Sequence, residues 1–255
     1  MISTRLLRWA AWSPGIETHD QWHAWSRAPV PLERDGAPGV PFLPAIQRRR
    51  CDPLCRAMLH AAHACLQETV QSEVTSVFAS RHGGFANMVT LLVTLAQGEA
   101  LSPARFSHSV HNTPAGIFSI WAKNRQASTS ISAGAGTFGF GFLEALGMLS
   151  RQPGRPVLLV SGEEAAPDPM RAKVDHDYGL HAVALLLGEP GTEGALNYGF
   201  EASSDPTSTS RYPDAVEFIR WYLGGESSLR ICHPPHAWTW SRSAESIVHP
   251  VTKDQ

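Results

Sequence analysis

The sequence predicts an α/β fold, a mainly parallel sheet covered by helices on both faces. Three observations predict it. Strand-like and helix-like segments alternate along much of the 255 residues. The segments PVLLVS (156–161) and LHAVALLL (180–187) are unbroken apolar runs of strand length, as expected of strands buried on both faces. The composition, 43% hydrophobic and 17% charged, suits a chain that buries a sizeable core.

Residues 2–12 read as the first strand. Residues 13–46, rich in proline and tryptophan, read as a long connection with a short helix near Asp20–Ser26. Over 51–70, Leu54, Met58, Ala61, Ala62 and Cys65 recur at helical spacing. EVTSVFAS (73–80) carries the β-branched residues of a strand. Gly83-Gly84 then leads into a helix over 85–97 whose inward face is expected to hold Met88, Leu91, Leu92 and Leu95.

A loop over 102–110 precedes a helix from Asn112 to Lys123, a strand over 128–133 and a helix over 137–150. After the 156–161 strand, residues 180–187 and 195–202 are expected to form an antiparallel pair at the sheet edge, followed by a helix over 212–223. The reading is one domain over residues 1–245, with 246–255 a flexible tail.

The formal net charge of -2 gives no global basic field for nucleic acid. Arg48-Arg49-Arg50 is a local basic run, read as a solvated helix start or as a phosphate or carrier-protein contact. No window approaches the roughly 18 apolar residues of a membrane span. The N-terminal apolar stretch is broken by Arg8, unlike a signal peptide. The expectation is a soluble, cytoplasmic protein. Cys51, Cys55, His60 and His63 match none of the common zinc spacings and would spread along several turns of one helix, so no metal is expected. No other cofactor is expected either.

The chemistry concentrates in 102–149, where three readings meet at one strand-to-helix turn. Gly134, Gly136 and Gly139 spell G-x-G-x-x-G after a strand, with Glu163 ending the next strand, the context of a dinucleotide site in an oxidoreductase. Ser130-Ile131-Ser132-Ala133-Gly134 resembles a G-x-S-x-G nucleophile elbow whose first glycine is Ser130. As a serine hydrolase it would use Ser132, with Asp175, Asp177, His181 or His233 as partners.

The third reading covers more of the segment. SHSVHNTPAGIFSI, with Asn112 opening a helix and Gly116 four residues on, resembles the stretch before the active site of β-ketoacyl synthases. Ser132-Ala133-Gly134-Ala135-Gly136-Thr137 resembles the turn that carries their nucleophile, and FGFGFLEALGML the buried helix behind it. AAWSPG and PVLLVSGEE resemble the first strand's exit and the next core strand. The resemblance runs over roughly 5–200 and is specific over 102–163. It is closest to the short, chain-length-factor-like family of aryl-polyene pathways.

That resemblance implies a thiolase-like fold, corresponding to about the first half of a ketosynthase. It also places Gly134 where an active synthase carries its catalytic cysteine. Glycine has no side chain to acylate, and none of the four cysteines lies near enough to replace it. The histidines of the synthases' second half have no counterpart; His233 and His236 read as loop residues.

The implied role is a non-catalytic homologue, without activity alone, that pairs as a heterodimer with a full-length β-ketoacyl synthase. It would shape the acyl tunnel in polyene or fatty-acyl chain extension and meet acyl-carrier protein only indirectly. By the same resemblance the 128–133 strand meets its mate in the partner. Phe106, His108, His111, Asn112, Thr113, Gly116, Phe118, Ser132, Ala133, Gly134 and Phe138 are the candidates for tunnel wall or interface.

Overall fold

The structure is a computed structural model that describes residues 1–242 except 68, 70, 175–177, 192–193 and 209. The expected tail lies outside the described residues.

One eight-stranded sheet organises the chain, in the order β3-β2-β4-β5-β1-β6-β8-β7. The strands are β1 (Ile2–Trp12), β2 (Thr75–Ala79), β3 (Ser128–Ile131), β4 (Val157–Glu163), β5 (His181–Gly188), β6 (Ala195–Ala202), β7 (Ser228–His233) and β8 (His236–Arg242). The helices are α1 (His19–Arg27), α2 (Ala45–Arg48), α3 (Pro53–Cys65), α4 (Phe85–Ala96), α5 (Pro103–Ser107), α6 (Thr113–Trp121), α7 (Thr137–Arg151) and α8 (Asp214–Gly224).

Helices cover both faces, as expected, and alternation along the strands sorts the core into two layers. On β5, Val183, Leu185 and Leu187 face α7, α8 and α1. Ala182, Ala184 and Leu186 face α3 and α6. Helix α3 starts where Asp52 accepts the Cys55 N–H at 2.7 Å and Pro53 occupies the first turn.

The sheet is mixed rather than mainly parallel. Only β2 pairs in parallel, with β3 and with β4; every other pair is antiparallel. A parallel neighbour requires a long crossover, usually helical. Helices α4 to α6 supply one between β2 and β3, and α7 supplies one between β3 and β4. Between β4 and β5 the described chain holds only a short 3₁₀ segment, Asp168–Lys173, and the strand returns antiparallel.

Nor do β5 and β6 pair with each other. β1 lies between them, antiparallel to both. β5 is buried along its whole length and takes a neighbour on each side.

The antiparallel edge is instead the β7–β8 hairpin, and His233 and His236, expected in a loop, belong to its strands. His233 and His236 sit opposite each other at its closed end.

Helix α4 also departs from expectation. Phe85, Val89 and Leu91 are buried, whereas Met88, Leu92, Val93 and Leu95 face outward. The helix is apolar nearly all round, but the cluster it packs on is small: Ala166 with partly buried Met170 and Val174. Among the described residues nothing covers the remaining apolar surface.

Candidate functional site

At the C-terminal end of β3 the chain turns sharply into α7. Gly134 adopts φ +60°, a left-handed conformation that glycine enters without the Cβ penalty. A 3₁₀ turn, Gly134–Gly136, follows. Thr137 locks the turn: its Oγ1 accepts from Ala133 N at 3.0 Å and donates to Gly134 O at 2.7 Å.

A Cβ built on Gly134 meets no atom within 4 Å. A side chain at this position would find open space, at the cost of the left-handed backbone. The other glycines here serve packing. A Cβ on Gly136 or Gly139 would stand 2.4 Å from the Trp238 ring, and one on Gly141 2.9 Å from Ala79 Cβ. The G-x-G-x-x-G spacing thus admits a tryptophan of β8 against α7. A pyrophosphate would need that same close approach to the backbone.

Beside the turn lies a cavity of about 70 Å³, lined by Gly134, Ala135, Thr137 and Phe138, by Ser161, Glu163 and Glu164 at the end of β4, and by His181, Asp214 and His233. It is sized for a few waters. Desolvation pushes both Glu163 and Glu164 up to about 7. Glu163 accepts from Ser80 Oγ at 3.2 Å and from Arg81 N; Glu164 accepts from Ala86 N at 2.7 Å. Burial pushes His181 down to about 4, and its Nδ1 lies 2.9 Å from Gly179 O, so the neutral ring donates there. His233 Nε2 lies 3.0 Å from the Asp214 carboxylate.

The Ser132 hydroxyl donates to Arg81 O at 2.8 Å, and two of the three histidines lining the cavity, His181 and His233, bond to Gly179 and Asp214. Asp175 and Asp177, the other partners considered, lie outside the described residues.

The sequence-derived candidates divide into four groups. Ser132, Ala133, Gly134 and Phe138 gather at the turn. His108, His111 and Thr113 line a smaller cavity of about 10 Å³ with Asp52, Ser80 and Gly83. Phe106 is 58% exposed, and the cap Asn112 and Gly116 face outward, in line with Ile120, which the sequence did not single out, at four-residue spacing on α6. Phe118, by contrast, points into the core, its ring 5.6 Å from that of Phe78.

The 80–83 loop joins the first two groups. His111 Nε2 donates to Ser80 O at 2.7 Å, Gly83 N donates to Ser80 Oγ at 2.9 Å, and Ser132 donates to Arg81 O. Asp214 and Glu164 were not found from sequence. An acidic residue after Pro213 reads as ordinary first-turn chemistry of a helix, and nothing local shows that it faces β3's exit. Among the described residues no three His, Cys, Asp or Glu side chains gather as a metal site, and no helix is long and apolar enough to cross a membrane.

The family described as "Beta-ketoacyl synthase, N-terminal domain" matches residues 22–241. The chain belongs to this family. Among solved structures it is similar to a chain of "Ketosynthase (ApeO) in Complex with its Chain Length Factor (ApeC) from Xenorhabdus doucetiae", with 28% identity, a TM-score of 0.80, and coverage of 95% of this chain and 100% of that one.

It is also similar to a chain of "The ishigamide ketosynthase/chain length factor" (16% identity, TM-score 0.64, 79% and 68% covered). A β-ketoacyl synthase from Burkholderia phymatum STM815 shares the fold (12%, 0.62, 89% and 71%). No curated protein matches the chain. The fold is thus that of the ketosynthase N-terminal half, and the chain is a homologue of the ketosynthase and chain-length-factor subunits of such complexes.

Proposed function

We propose that this chain is a non-catalytic, chain-length-factor-like subunit that pairs with an active β-ketoacyl synthase and forms part of the wall of its acyl tunnel. The observation that carries the reading is Gly134. The turn that presents a nucleophile in this family is intact and spacious, yet the residue at its tip has no side chain. A thioester cannot form there.

Pairing is supported by what the chain leaves uncovered. Among the described residues β3 is a short edge strand bonded to β2 alone, which leaves one row of its backbone groups without a partner strand there. Leu92, Val93 and Leu95 of α4, Phe106 of α5 and Ile120 of α6 are all 45% exposed or more. Apolar surface in that amount marks an interaction face. Gly116, on the outward stripe of α6, has open space at its Cβ position and is the natural place to set tunnel depth.

The test is co-expression with an active β-ketoacyl synthase of the same organism. The reading expects a stable heterodimer that extends acyl chains, and a shift to shorter products when Gly116→Phe fills the stripe. A chain that stays monomeric beside a fully active synthase would contradict it.

A further inference from the structure

Helix α4 is bounded on both sides by glycines in the left-handed region, Gly83 at φ +63° and Gly98 at φ +74°. A Cβ on Gly98 would meet nothing within 4 Å, so no neighbour fixes that turn. Glycines so placed absorb the backbone rotation of a hinge. Ahead of the first one the chain is anchored: Gly83 N donates to Ser80 Oγ at 2.9 Å, and Ser80 O accepts from His111 at 2.7 Å.

The packing of α4 is separate as well. Phe85 and Val89 belong to neither layer of the main core; they cluster with Ala166, Met170 and Val174, from the stretch after β4. Toward α5, Asn87 Nδ2 donates to Arg105 O at 3.3 Å, a long bond between exposed residues.

The stretch after β4 also supplies the cap. Gly84 stands at the N-cap position and has no side chain to bond the N–H groups of the first turn. A Cβ there would lie 2.3 Å from Asp52 Oδ2, on the side chain that caps α3. Glu164 takes over the task. Its Oε1 accepts from Ala86 N at 2.7 Å, and the Phe85 N–H bonds to the same carboxylate. Charge-assisted hydrogen bonds and the helix dipole both favour a carboxylate in this place. An ordinary cap ties a helix to its own preceding residue; this one ties it to the end of a core strand.

We propose that α4 is a hinged helix that leaves the body of the protein as a unit, and that Glu164 is the latch that holds it docked.

The consequence for association rests on the pairing reading given above. The docked helix presents Leu92, Val93 and Leu95 to the synthase in one arrangement. Release spreads that surface over many arrangements, and binding must then bear the cost of ordering it. Glu164 is thus a positioning residue that acts through α4.

Hydrogen exchange of the full chain alone, at pH 8, tests the latch; burial lifts Glu164 only to about 7, so it is ionised there. In the wild type, α4 amides are expected to exchange by a local opening, faster than those of β4 and β5. Glu164→Ala should speed α4 by about fivefold or more, the loss typical of a helix cap, and leave β4 and β5 unchanged. Glu164→Gln, whose amide oxygen still accepts, should lie between. Wild-type α4 as slow as β5, α4 unaltered in Glu164→Ala, or helix and sheet accelerating together would each overturn the proposal. With an active β-ketoacyl synthase of the same organism, Glu164→Ala is expected to bind several-fold more weakly than wild type, and equal binding would overturn the positioning role. A synthase that binds neither protein would overturn the pairing reading instead, and exchange in the chain alone still decides the latch.

Discussion

The two ends of the sheet are built on opposite principles. At the β7–β8 end, the hairpin lays Trp238 and Trp240 over α7, with Tyr198 of β6 and Phe218 of α8 completing an aromatic layer; Phe142 and Tyr198 stack at 5.3 Å. Tyr198 Oη also donates to Gly139 O at 3.1 Å. Here the glycine-rich face of the buried helix is covered by the chain itself. At the β3 end, a four-residue strand carrying three hydroxyl side chains stands unpaired on one side, near helices whose apolar residues face solvent. The contrast teaches which end of the sheet the described chain covers: the β7–β8 hairpin closes one end, and at the other a strand edge and apolar helix residues stay exposed.

That contrast can be broken by mutation. The largest effect is expected at the closed end. Trp238→Ala removes the ring seated on Gly136 and Gly139 and should cost about 3–5 kcal/mol in denaturant unfolding. A loss below 1 kcal/mol would mean that the hairpin does not hold α7.

Next is the cavity between the ends. Glu163 has a folded-state value of about 7, above its ordinary 4.5. Between those values the unfolded chain ionises before the folded one, so stability is full below about pH 4.5 and falls as pH rises to about 7. The size is on the order of 3 kcal/mol. His181 titrates in the opposite sense over part of that window, its folded value of about 4 lying below the ordinary 6.5. The difference between wild type and Glu163→Gln therefore isolates the Glu163 contribution, and it should shift in favour of the variant across pH 4.5–7. A flat difference would show Glu163 to be ordinarily solvated.

Smaller again is Gly134→Cys. The space is present, and the cost is the left-handed backbone, about 1 kcal/mol. The smallest effect on the isolated chain belongs to the open end. Leu92→Asp with Leu95→Asp should change stability by no more than about 0.5 kcal/mol. The same pair should abolish association with the synthase in size-exclusion chromatography.

The same two ends differ in how far the sequence revealed them. The parallel end was legible. EVTSVFAS, the small residues of 132–137 and PVLLVS each announce their element locally, and together they fix the turn. The antiparallel end was not. In β7–β8 the prolines 234 and 235 and the polar residues around them mask two strands, whose apolar residues, Ile231, Trp238 and Trp240, find their burial only against α7 far back in the chain. Strand pairing across β1 is non-local for the same reason, so β5 and β6 looked like neighbours. In α4, periodicity could not say which side would find a partner, because most positions are apolar. The cavity was only partly visible: Glu163, His181 and His233 were noticed one by one for other chemistries, and only the fold brings them beside Gly134.

The central claim is that an intact nucleophile turn without a nucleophile serves an active partner. The direct measurement mixes this chain with an active β-ketoacyl synthase of the same organism and acyl-loaded carrier protein, isolates the heterodimer, and weighs both subunits. The account predicts an acyl adduct on the synthase and none on this chain. An adduct on this chain, or an acylated synthase that never retains it, would contradict the account.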